Sequence, residues 1–329
     1  MKVLVTGSAG HLGEALMRTL MARGDTAVGL DILSSPFTTL TGSVADRDKV
    51  REAMAGAEVV FHAATLHKPH IATHARQDFI DTNITGTLNL LEEAAATSVR
   101  AFVLTSTTSV FGDALTPGPG EPAAWITEDV APRPKNIYGV TKTAAEDLGQ
   151  LFHRNHRLNV IVLRTSRFFP EADDSQTARA RHADANLKTN EYLHRRVALE
   201  DVVSAHLMAA ERAGDIGFGK YIISATSPFT LDDRAVLRRD PAAAVRRHVP
   251  AFEAEYARRG WTPPGDIGRV YINDKARREL GWRPEHDFAA IVARLAEGGE
   301  VLGPLAWAVG AKGYHAGAFA DGLYPVDHA

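Results

Sequence analysis

Three side chains in this sequence could together move a proton to and from an alcohol. Tyr138 and Lys142 stand four positions apart in NIYGVTKTAAED, residues 136–147. The stretch has helical character, and on a helix that spacing lays one side chain above the other. An ammonium beside a phenol stabilises the phenolate, and a nicotinamide cation would add to this, drawing a pKa of about 10 toward the working pH. Tyr138 so placed could act as general base or acid. A half-buried tyrosine beside a solvated lysine has the same spacing, so context must decide. VLTSTTSVFGD, residues 103–113, reads as a strand running into a hydroxyl-rich turn. At the carboxyl edge of an open parallel sheet such a turn lines the ligand crevice, where a hydroxyl could hold the substrate oxygen beside Tyr138. Plain turn chemistry by Ser and Thr is the other use of such residues.

A second constellation concerns an anion. TGSAGHLG follows the first apolar run directly and opens a helix, with Gly7, Gly10 and Gly13 spaced GxxGxxG. Glycines allow the tight turn and the close approach of a pyrophosphate to a helix N-terminus, where free N–H groups and the helix dipole favour negative charge. Asp31 ends the next run. Its carboxylate can accept both ribose hydroxyls of NAD and would repel a 2′-phosphate. No Lys or Arg occurs between Asp31 and Arg47 to welcome that phosphate. A strand-end Asp capping a turn remains the alternative.

These residues require elements to carry them. KVLVT (2–6), TAVGLD (26–31), EVVFHA (58–63), RAFVLTS (100–106), LNVIVLRTS (158–166) and KYIIS (220–224) read as strands. Helical patterns lie between them at about 12–23, 46–55, 76–97 and 200–213, and in the segment holding Tyr138. The alternation predicts an α/β fold with a doubly wound parallel sheet, of at least five strands. It lapses over 167–199. The expected organisation is a dinucleotide-binding domain over 1–166, with 200–224 returning to it, and a smaller, partly interleaved substrate-binding region over 167–199 and 225–329. Further helical stretches are expected near 231–238, 241–259 and 276–282, followed from Gly303 by a tail without clear period.

Composition narrows the chemistry. With 329 residues and no cysteine, the chain can bury a large core but has no thiolate nucleophile, disulfide or Cys-ligated metal. A formal net charge of −3 leaves no global basic field for nucleic acid. The apolar start is too short for a signal peptide and no run is long enough for a membrane span, so a cytoplasmic location is expected. His67, His70 and His74 recur at helical spacing in FHAATLHKPHIATHARQDF. Pro69 interrupts that helix and no carboxylate completes a ligand set, so no metal site is expected; His67 and Lys68 are expected to border the substrate crevice.

Taken in order, TGSAGHLG, Asp31, FHAAT, DTNITGTLNLLEEA with Asn83, TSTTSVFG, YGVTK and ARRELGWRP resemble the extended short-chain dehydrogenases/reductases of the NAD-dependent epimerase/dehydratase type. The resemblance implies a Rossmann fold and NAD as cofactor, held by Gly7, Gly10, His11, Leu12, Gly13, Asp31, Ser43, Val44, Ala63, Ala64, Asn83, Tyr138 and Lys142. It implies Thr107 as the catalytic hydroxyl, Tyr138 as proton donor or acceptor, Lys142 on the nicotinamide ribose, and a homodimer formed through the long helices. Substrate contacts are expected from His67, Thr107, Thr108, Arg167, Arg195 and Arg278, the last matching a family position that contacts a nucleotide diphosphate.

The pattern also departs from the family. Thr107-Thr108-Ser109 lacks the acid that dehydratases and decarboxylases carry beside the hydroxyl. Ser43 replaces the first Asp of GDxxD, and His11 stands where an aromatic is usual. Arg167 replaces an Asn of nucleotide-sugar epimerases, and Arg195 is shifted by one position. The SRFFPE run is closer to uronate dehydrogenases, and an Arg suits a carboxylate or a phosphate equally. The leading expectation is an NAD-dependent 4-epimerase acting on a sugar or nucleotide sugar. The rivals are a net dehydrogenase of a free sugar acid or other hydroxy compound, and a non-catalytic NAD-binding protein.

Overall fold

A computed structural model describes residues 1–173 and 175–313. Seven strands form one parallel sheet in the order β3-β2-β1-β4-β5-β7-β8: β1 Lys2–Thr6, β2 Thr26–Asp31, β3 Leu40–Thr41, β4 Val59–His62, β5 Ala101–Thr107, β7 Val160–Thr165 and β8 Phe218–Ile223. The chain winds outward from β1 through β2 to β3, then crosses to β4 and winds the other way. The direction reverses between β1 and β4, and the crevice beyond their carboxyl ends is where such sheets bind ligands. β7 is buried along its whole length, as expected of a strand apolar on both faces. Among the described residues no helix is long and apolar enough to cross a membrane.

Each face of the sheet is covered. On one side the helices His11–Ala22, Leu199–Ile216 and Pro304–Val309 enclose a core with Leu16, Phe61, Val103, Leu163, Val202 and Trp282. On the other, Arg47–Met54, Gly86–Ala96 and Ile137–His156 pack over Leu4, Val60, Phe102 and Val162. A separate core around Leu193, Phe229, Val245, Phe252, Tyr256 and Phe288 joins helices of the 184–191 stretch to those beyond 240.

Several elements differ from the sequence pattern. The two-residue β3, and a parallel pair formed by β6 (Ala124–Ile126) and β9 (Arg269–Tyr271), were not legible; each is too short to show a period. The long pattern at 76–97 resolves into Arg76–Phe79, a π-helical stretch Ile80–Thr85 and Gly86–Ala96. The 241–259 stretch is two helices, Pro241–His248 and Phe252–Arg259, separated around Pro250, which has no N–H for a continuous helix. The region 167–199 contains helices Gln176–Arg181 and Asp184–Glu191, and the tail contains Pro304–Val309. The rest of the tail, from residue 314, lies outside the described residues.

Candidate active site

A cleft of about 610 Å³ opens along the carboxyl ends of β1, β2, β4, β5 and β7. One end is built by the glycine loop. Gly10 precedes the helix His11–Ala22, and Gly13 packs so tightly on the loop that a Cβ there would lie 1.8 Å from the Gly7 carbonyl oxygen. No side chain fits, and the helix N-terminus stays open to a ligand. Gly7, Gly10, His11, Leu12 and Gly13 all line the cleft, with Ser43, Val44, Ala63 and Ala64 beside them. Asp31 lies on the same wall, its carboxylate accepting from the Ala9 and Leu33 N–H groups, each at 2.9 Å. Two main-chain donors fix the carboxylate where a ribose would present its hydroxyls. The Ser43 hydroxyl accepts from Ala45 N–H at 3.1 Å, while Asp46 caps the helix Arg47–Met54. The cradle therefore has the shape and polarity a dinucleotide requires.

At the other end Tyr138 and Thr107 meet. Asn136 caps the helix Ile137–His156 by accepting from Gly139 N–H at 3.1 Å. A Cβ on Gly139 would lie 2.9 Å from the Ser109 carbonyl oxygen, so only glycine lets this helix approach the turn after β5. That approach sets Tyr138 and Thr107 together on the cleft wall. Thr107 accepts from Ser109 N–H at 3.1 Å as it starts a short 3-10 turn. Burial pushes the Tyr138 phenol up to about 12, and the neighbouring Thr107 side chain draws it back only in part. The expectation that Lys142 lowers this pKa is thus corrected: desolvation dominates.

Lys142 does not line the cleft wall; it is 2% exposed, one turn along the helix from Tyr138. Burial lowers its ammonium to about 8, and Glu146, a further turn on, pulls it back. Glu146 is itself fully buried. It accepts from Ser106 Oγ at 2.6 Å and from Arg164 Nη2 at 2.7 Å, with Lys220 Nζ at 3.2 Å. Tyr138, Lys142 and Glu146 form one buried column on the helix. Its lower end is locked to the strands β5, β7 and β8.

Asn83 also sits behind the cleft. Its side chain accepts from Thr65 Oγ1 at 3.0 Å and Leu66 N–H at 2.9 Å, and donates to the Leu66 carbonyl at 2.9 Å and Thr141 Oγ1 at 3.0 Å. It braces the loop after β4 against the tyrosine helix rather than facing a ligand, and the π-helical turn aims it there. His62 is buried between Thr6 Oγ1 (2.8 Å) and Thr87 Oγ1 (3.0 Å), its pKa lowered by desolvation and then by Lys142. Among the described residues no group of three or more His, Asp or Glu could hold a metal ion.

The substrate-side expectations divide. His67, Thr108 and Arg167 line the cleft. The His67 ring stacks on Phe169, centroids 5.2 Å apart, and turns an edge to Tyr138 at 6.4 Å. Arg167 lies within 3.3 Å of Asp173 and 3.7 Å of Glu191. Arg195 and Arg278 are not brought to the cleft. Arg195 pairs with Glu191 at 2.9 Å, and Arg278, mostly exposed, donates to Glu279 at 2.8 Å beside the outermost strand, β8. Burial raises and the three arginines 195, 196 and 167 lower the Glu191 carboxyl, to a net value of about 2.

Sequence reasoning overlooked Arg196, which is 1% exposed and reaches Glu191 at 2.8 Å, as well as Phe169, Glu171 and Lys312. The doublet Phe168-Phe169 was a usable signal. Nothing local marks Glu171 or Lys312, because their partners are distant in sequence.

The model of the NAD dependent epimerase/dehydratase family matches residues 3–221. A 4-hydroxy-2-methyl-3-oxo-4-farnesyl-3,4-dihydroquinoline-1-oxide ketoreductase of Stigmatella aurantiaca is 30% identical over 325 residues, covering 86% of this chain and 92% of that protein. A UDP-glucose 4-epimerase of Streptomyces lividans is 24% identical over 326 residues, covering 89% and 94%. A short-chain dehydrogenase/reductase superfamily protein from Agrobacterium tumefaciens, solved with bound NAD, shares the fold with a TM-score of 0.63 at 21% identity, over 90% of this chain and 98% of that one.

Proposed function

Because the chain belongs to the NAD-dependent epimerase/dehydratase family, we propose that it is an NAD-dependent oxidoreductase acting on a secondary alcohol, and that it works as a net dehydrogenase or reductase. The observation that carries the chemistry is the placing of Tyr138 and Thr107 together on the cleft wall, with Lys142 buried one turn along the same helix. NAD, held by the glycine loop and Asp31, would supply a hydride acceptor for the carbinol carbon. Thr107 holds the substrate oxygen, and Tyr138 takes the hydroxyl proton, returning it in the reverse direction. A phenol raised to about 12 is a strong base once ionised but is rarely ionised at neutral pH. A cationic ring beside it would favour the phenolate. Asp31, with no cation among the neighbouring cleft residues Ile32 to Ser35, supports NAD over NADP.

Net redox is favoured over 4-epimerisation by the arginines. A nucleotide sugar needs cations for its diphosphate, and Arg195 and Arg278 are held by Glu191 and Glu279 away from the cleft. Among the described residues the substrate end has Lys68 and Arg167 on its wall and no carboxylate, Asp173 and Glu191 pairing with Arg167 from behind the lining. That polarity suits a free hydroxy acid such as a sugar acid, whose single carboxylate needs no diphosphate site. The ketoreductase relative, a net redox enzyme by name, is in keeping with this. The 4-epimerase reading keeps the support of the Streptomyces lividans relative. Absorbance at the NADH band decides between them: with NAD and uronic acids or free sugars, NADH is expected to accumulate. Interconversion of a UDP-sugar without NADH release would overturn the net-redox reading.

A further inference from the structure

The C-terminal segment ends its described course on the glycine loop. The helix Pro304–Val309 is anchored by Glu200, whose Oε1 accepts from Leu305 N–H at 2.9 Å, and by Ala306 and Val309, buried against the first helix. Gly310, at φ +65°, then turns the chain back. Lys312 N–H donates to Glu171 Oε1 at 3.0 Å, and the same oxygen is hydrogen-bonded to His11 Nε2 at 2.6 Å, both side chains nearly fully buried. The Lys312 ammonium bonds Glu14, in the first turn of the same helix. Lys312 and Gly313 consequently form part of the cleft wall beside Gly10, His11 and Leu12.

We propose that Lys312 is a ligand for the cofactor pyrophosphate, carried to the glycine loop by the C-terminal segment; this rests on the NAD reading above. A pyrophosphate has two negative charges, whereas a helix N-terminus offers the equivalent of about half a positive charge. Among the described residues the charged side chains on the cleft wall are Asp31, Lys68, Arg167 and Lys312, and of these Lys312 is the cation at the glycine-loop end. Glu14 does not lose its counter-ion if the ammonium swings away, because Arg18 donates to it at 2.8 Å. The main-chain bond to Glu171 holds the residue at the rim while its four-carbon stem moves. The segment is then a wall of the cofactor site as well as a source of charge.

The test is binding without turnover. NADH, ADP-ribose and adenosine are titrated against the wild-type chain, Lys312→Ala and Lys312→Arg, at low and high salt. Loss of one charge-assisted contact is expected to weaken NADH and ADP-ribose about tenfold in Lys312→Ala at low salt, less at high salt, with adenosine unchanged. Lys312→Arg should bind within about twofold of wild type, since the charge is kept. The proposal is overturned if Lys312→Ala binds ADP-ribose as tightly as wild type. It is equally overturned if adenosine weakens by the same factor, which would mark a structural effect. A wild-type chain that binds no NADH would instead bring down the cofactor reading on which this rests.

Discussion

The tyrosine column and the arginine cluster contain comparable amounts of charge and each sends one residue to the cleft wall, Tyr138 and Arg167, yet they are held in place in different ways. Tyr138, Lys142 and Glu146 stand on one face of one helix, and Glu146 takes its partners from β5, β7 and β8. Arg167, Arg195 and Arg196 come from the 167–199 region outside the seven-stranded sheet and converge on a single carboxylate, Glu191. A repeating element projects side chains in directions its period dictates. An irregular segment lets each side chain find its nearest counter-charge, so an arginine there need not serve a ligand.

Breaking the column should have the largest effect. Tyr138→Phe is expected to lower turnover by about 10³-fold while leaving NADH affinity within a small factor, because it removes the proton-transfer group and little else; unchanged turnover on an active substrate would end the assignment. Glu146→Gln comes next. It leaves Arg164 buried without its counter-ion, and a loss of about 3 kcal/mol in urea unfolding is expected. A loss under about 1 kcal/mol would show that the column is not locked to the sheet as described.

Two buried histidines sharpen the same contrast through pH. Desolvation lowers His206 to about 4 and His194 to about 3, so both fold neutral, whereas an unfolded histidine titrates near 6.5. The unfolded chain binds more protons below that value, so stability is full above about 6.5 and declines as pH falls toward the folded values. Between pH 7 and 5, His206 alone should cost about 2 kcal/mol, and His206→Gln should flatten the profile measured by thermal unfolding. His206 packs under β5, where Thr105 Oγ1 lies 2.8 Å away, whereas His194 lies in the arginine segment. Glu191, held near 2, gives a further loss only as pH falls from about 4.5 to 2. The smallest effect is expected from Arg278→Ala: a change in kcat/KM below about twofold, as for an exposed pair. A tenfold loss would restore a diphosphate role and with it the epimerase reading.

Legibility followed locality. The strands, the glycine loop, Asp31 and the Thr107 turn could be read because each depends on a few adjacent residues, and the matched order of motifs supplied the family. Asn83 was identified but assigned to the cofactor; the π-helical turn directs it to Thr65, Leu66 and Thr141 instead. Arg195 and Arg278 were placed by motif offset alone, and offset does not say which carboxylate is nearer.

Residue order was enough to establish a parallel α/β sheet with a tight glycine loop at the end of β1 and a Tyr–Lys pair on one helix face, since backbone periods and glycine sterics are short-range. Folding settled what no local pattern encodes: that Gly139 lets the tyrosine helix close on the turn after β5, that Glu191 gathers the arginines, and that Lys312 reaches Glu171. Those contacts join residues far apart along the chain, and Coulomb attraction and close packing select partners by distance in space.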